Sequence, residues 1–128
     1  MSPRHHRDAM LIIRNTQLQV FGEQQSTQFI DAVFSHLERC FPGKLETLGE
    51  ARARDVIRRG IDRAKGHGFT TQRLVCRFID LTLVLGVEFD RDLHWAVEIL
   101  QRRDLTADER MQSLFQAGIQ HLNAGRAS

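Results

Sequence analysis

Proline and cysteine are scarce in this chain, at two residues each in 128, and tyrosine is absent. With nine glycines and 41% hydrophobic residues, the composition excludes collagen-like, low-complexity and disordered chains. The two cysteines, Cys40 and Cys76, lie far apart with no CxxC or CxxH around them, so neither a zinc cage nor a redox pair is expected. Both are expected as small core residues in a reducing compartment. One tryptophan and no tyrosine offer no stacking platform for single-stranded nucleic acid. No run of 18 apolar residues is present to cross a bilayer, and the apolar residues after the charged start Met1 to Asp8 are too few for a signal peptide, so the expectation is a cytoplasmic protein without one. The length suits a single domain, expected over residues 10–124 after a disordered extension at 1–9.

Charge of one sign is also lacking. The formal net charge is +2, too near balance to imply a polyanionic partner. Its distribution is uneven: residues 1–49 sum to 0, residues 50–77 to +5 and residues 78–128 to −3. Sixteen of the 18 cationic side chains are arginine, which suits planar, bidentate contacts with carboxylates.

What is present is helical periodicity. Met10 to Ile13 reads as an extended lead-in. From Asn15 or Thr16 the positions Leu18 and Phe21, then Phe29, Ile30, Val33, Phe34, Leu37 and Phe41, follow helical spacing up to Pro42-Gly43. Leu45 to Leu48 can add one turn. A second helix is predicted over Glu50 to Lys65, burying Ala53, Val56, Ile57, Gly60, Ile61 and Ala64 and exposing a face rich in arginine. Gly60 and Ala64 are small enough for close helix approach, and Gly66-His-Gly68 stops the helix. The third, over 71–85, is apolar on nearly every side and is predicted to be central. A fourth is predicted from Asp92 to Leu100, and a fifth from the capping box Thr106-Ala-Asp-Glu109 through Leu122, with Met111, Leu114, Phe115, Gly118, Ile119 and Leu122 as its buried face. The expected fold is an all-α bundle of about five helices around residues 71–85.

Little in this pattern points to catalysis. No nucleophile elbow, phosphate loop, dinucleotide fingerprint or paired-carboxylate motif occurs, so no enzyme and no cofactor are expected. His36, His67, His94 and His121 fall on four elements with no i, i+3 or i, i+4 pair among them, so no metal is expected either. Asp80, inside the most apolar helix, requires a partner, with an arginine of the second helix or a backbone amide as the expected one. The basic helix, glycine turn and Thr70-Thr71 suggest a helix-turn-helix, yet after Gln72 and Arg73 the following helix offers mainly apolar residues, unlike a recognition helix. Arg52, Arg59 and Arg63, at spacings of seven and four, form the candidate docking face for an acidic protein partner. Trp95 and the apolar Met10 to Ile13 are the competing patches.

Taken in order, Met10-Leu-Ile-Ile-Arg-Asn-Thr-Gln17, His36-Leu-x-x-x-Phe-Pro42, Leu48-Gly49, Ile57-Arg-Arg-Gly-Ile61, Arg63-Ala64, Gly68-Phe-Thr-Thr71, Val75-Cys-Arg-Phe-Ile-Asp-Leu81, Leu85-Gly-x-x-Phe-Asp90, Trp95-Ala96 and Ile99-Leu100 resemble a family of small helical proteins encoded in bacterial type VI secretion clusters. The resemblance spans about residues 10–122 and departs at His94, where relatives often have proline. It implies an accessory role, as adaptor or co-chaperone, in loading a secreted effector, with an effector, its chaperone or a spike protein as partner. It carries no ligand or catalytic residues. An immunity or inhibitor protein and a DNA-binding regulator are the rival classes.

Overall fold

The computed structural model describes residues 23–127, with side chains described over 27–125. The expected extension at 1–9, the lead-in Met10 to Ile13 and the helix start at Asn15 or Thr16 lie outside the described residues. Within them the fold is all-α, with seven helices and no strand: α1 Glu23–Cys40, α2 Pro42–Leu48, α3 Glu50–Gly66, α4 Gln72–Leu85, α5 Phe89–Asp92, α6 His94–Leu100 and α7 Ala107–Ala127. None is long and apolar enough to cross a membrane.

The two additional helices are short and have local causes. Pro42 sits in the first turn of α2, where its missing N–H costs nothing, and Gly49 closes the helix at a φ of +83°. The helix expected from Asp92 to Leu100 is instead divided at Leu93, whose backbone is extended. The turn before it, α5, is pulled inward by Phe89 and Asp90, both buried. Elsewhere the signals act as read. Leu74 N–H donates to Thr71 Oγ1 at 3.2 Å to cap α4. Thr106 and Glu109 exchange reciprocal bonds of 3.1 and 2.8 Å at the start of α7.

Helix α4 is the hub, packed against α1, α3, α5 and α7. Its Val75, Phe78 and Ile79 are fully buried, and the Phe78 ring lies 6.0 Å from Phe69 and 5.1 Å from Phe89. Close approach to α3 depends on Gly60, where an added Cβ would stand 2.7 Å from Ile79 Cγ1. Two arginines fasten the periphery. Arg54 of α3 donates to Asp31 of α1 at 2.7 Å and lies over the Phe34 ring, while Arg110 of α7 donates to the carbonyls of His67 and Leu100 and covers Phe69. Hydrogen bonding to Asp31 is the main reason the Arg54 guanidinium holds its proton more firmly than usual.

Candidate functional site

The four residues expected to bind a partner differ in exposure. Arg52 is exposed and Arg59, also exposed, pairs with Asp55 of its own helix at 3.1 Å. Arg63 is half-buried. Its guanidinium is bonded to Asp90 of α5, so it belongs to an interior ion pair and not to a free basic face with Arg52 and Arg59. Trp95 is half-buried beside α7: its Cη2 would be 3.8 Å from a Cβ at Gly118, and its ring lies 5.7 Å from that of His121.

Asp90 is the residue that sequence reasoning missed. Its side chain is 4% exposed and receives hydrogen bonds from Arg63 and, at 2.7 Å, from His67 Nε2. Burial pushes this carboxyl up, and the two hydrogen bonds together with the nearby positive charge outweigh it, so the group ionises below its ordinary range. His67 also stacks at 5.7 Å on Phe78. This node joins the end of α3 to α5 at the edge of the phenylalanine cluster. Arg63 Nη2 and His67 Nε2 each point at this one acid, which ties α3 to α5, while Arg63 Nε is buried without a hydrogen-bond partner among the described residues. The available signal was the carboxylate beside Phe89 in a segment with no helical period.

Asp80 does find a partner, but not an arginine of α3. His36 Nε2 of α1 lies 3.0 and 3.3 Å from its two carboxylate oxygens. One turn earlier on α4, Cys76 completes a group in which His36, Cys76 and Asp80 each place a donor atom within 4.8 Å of the others. The buried Cys76 thiol is pushed up to about 12, chiefly by desolvation and then by the charge of Asp80. Cys40 corrects the expectation of two core cysteines: it is exposed, with Sγ 3.8 Å from His36 Nδ1. The four histidines do not converge. His36 faces Asp80, His67 faces Asp90, His94 pairs with Glu98 and His121 lies against Trp95. The convergence of His36, Cys76 and Asp80 involves no histidine pair; its spacings in the sequence are His36 to Cys40 and Cys76 to Asp80, both i, i+4.

Among the described residues, two of the surface hollows bear on binding. The larger, about 770 Å³, is lined by Leu100, Gln101, Arg102, Arg103, Leu105 and Arg110. Its charge is largely spoken for: Arg102 clasps Asp104 through bonds of 2.8 and 2.6 Å, holding that carboxyl at about 2, and Arg110 is bound to backbone carbonyls. The second, about 460 Å³, is a groove between α4 and α7. Phe115 and Ile119 supply its apolar surface over the buried Leu74 and Met111, with Arg73 and Arg77 on the α4 side and Asp108, Gln112 and Gln116 on the α7 side. Arg77 lies 5.4 Å above the Phe115 ring, and Ile119 is 55% exposed at the open end. No protein-family model, curated protein or solved structure matches this chain.

Proposed function

We propose that this chain is a non-enzymatic, protein-binding accessory factor of the cytoplasm, an adaptor or co-chaperone that assists loading of a type VI secretion effector. The secretion context rests on the resemblance of residues 10–122. The observation that carries the binding role is the α4–α7 groove, an apolar strip bordered by Arg73 and Arg77 and left open at the exposed Ile119. An aliphatic side chain exposed beside a half-buried Phe115 is suited to the centre of a protein contact, and the two arginines select a partner segment that carries carboxylates next to its apolar residues. The burial of α4 from Leu74 onward favours a protein over DNA as partner, because a recognition helix must offer its side chains to a groove.

The test is binding of the full chain to the purified effector, effector chaperone and spike protein of its own gene cluster. One of them should bind, and Ile119→Glu and Arg77→Glu should each weaken it about tenfold or more, the cost of losing a central contact residue, while circular dichroism stays helical. Failure to bind any of the three, or indifference to both substitutions, overturns the reading. Binding confined to the effector toxin with loss of its activity establishes an immunity protein instead.

A further inference from the structure

We propose that His36, Cys76 and Asp80 form a zinc site joining α1 to α4. The three donors come from two helices, with His36 40 residues before Cys76 and 44 before Asp80, and each contributes a different ligand type: imidazole nitrogen, thiolate sulfur and carboxylate oxygen. That set excludes magnesium and calcium, which take oxygen, and suits zinc, which accepts all three. Cys76 and Asp80 are one helical turn apart and so share a face, and His36 faces them across the helix contact with Nε2 already 3.0 Å from the Asp80 carboxylate. Zinc bonds of about 2.0–2.3 Å place tetrahedral ligands roughly 3.3–3.8 Å from one another. The donor atoms, none more than 4.8 Å from another, need close by only about an ångström, within the reach of side-chain rotation.

The second ring nitrogen fits the same assignment. A histidine bound to metal through Nε2 carries its proton on Nδ1, and that atom faces Cys40 Sγ at 3.8 Å. Cys40 is therefore a positioning residue for His36 rather than a ligand. Three protein ligands leave a fourth place for water, and the metal replaces the His36–Asp80 hydrogen bond by a stronger tie between α1 and α4.

The full chain, stripped with a chelator and titrated with cobalt(II) as a spectroscopic substitute for zinc, should show a thiolate-to-cobalt charge-transfer band and tetrahedral d–d bands saturating at one equivalent. Zinc should abolish both by competition and raise the denaturant midpoint of the wild-type chain. Cys76→Ser should remove the charge-transfer band. His36→Gln and Asp80→Asn should each lower zinc affinity more than about 100-fold, beyond what a residue outside the ligand set costs, and Cys40→Ser about tenfold or less. His36→Gln, at a half-buried position, keeps the test open should Cys76→Ser fold poorly. A spectrum without a thiolate band, a band that survives Cys76→Ser, one lost on Cys40→Ser alone, or affinity unchanged in His36→Gln overturns the proposal.

Discussion

The Arg63 guanidinium and the Asp90 carboxylate form an ion pair in which the acid is buried and the base is only half so, with side-chain exposures of 4% and 30%. The two ends therefore differ in what their removal leaves behind. Arg63→Ala strands a buried carboxylate with His67 as its remaining donor and should cost about 2–3 kcal/mol, somewhat below the range for fully buried pairs. Arg59→Ala, on the same helix but exposed, should stay within about 0.5 kcal/mol. Urea melts of the two variants make the comparison. Equal costs would return Arg63 to the surface face.

The same acid gives the stability a pH dependence of defined sign. Asp90 ionises below its ordinary value of 3.8 in the folded protein, so the folded state favours the charged form. Its contribution is complete well above that value and is lost as pH falls through it towards the lower folded value. Urea midpoints measured at descending pH should drop through the acid range. Asp90→Asn should be less stable at neutral pH and show a shallower acid decline.

Two helix glycines should respond oppositely to alanine. At Gly60 the new Cβ would meet Ile79 Cγ1 at 2.7 Å, and Ile79 is a fully buried, β-branched side chain with little room to yield. The overpacking cost of about 1–3 kcal/mol exceeds the gain of up to about 1 kcal/mol in helix propensity, so Gly60→Ala destabilises. At Gly118 the nearest atoms, on Leu81 and Leu85, stand at 3.6 Å, an ordinary contact. There the propensity gain prevails, and Gly118→Ala should raise stability by about 0.5–1 kcal/mol in thermal or denaturant melts.

Phe78 is fully buried and its ring contacts those of Phe69, Phe89 and His67. Phe78→Ala should cost about 3–5 kcal/mol, the loss from deleting a buried aromatic, measurable by chemical denaturation. A loss under about 1 kcal/mol would mean that the cluster collapses around the cavity.

The architecture was legible because it rests on local rules. Helical spacing marked Val33, Leu37, Ile57, Ala64, Val75, Phe78, Ile79 and Leu114 as interior positions, all of them buried, but it marked Ile119 and Leu122 likewise, and both are exposed because α7 runs on past the helices that cover its first turns. Thr71 and the pair Thr106 and Glu109 located two helix starts through short-range hydrogen bonds. Gly60 was readable as a contact point because only a missing side chain permits that approach. The break at Leu93 was not readable, since it follows from Phe89 and Asp90 turning into the core.

Sequence by itself determined the long helices, the central place of residues 72–85 and the requirement that Asp80 have a partner, because periodicity, capping and desolvation act within a turn or two of chain. Tertiary structure alone decided which charges meet. It gave Asp80 to His36 across 44 residues, took Arg63 from the basic face for Asp90, exposed Cys40 while burying Cys76, and brought His36 to Cys76 and Asp80. Pairings of this kind depend on how two helices are rotated against each other, and that rotation is set by the packing of the whole core.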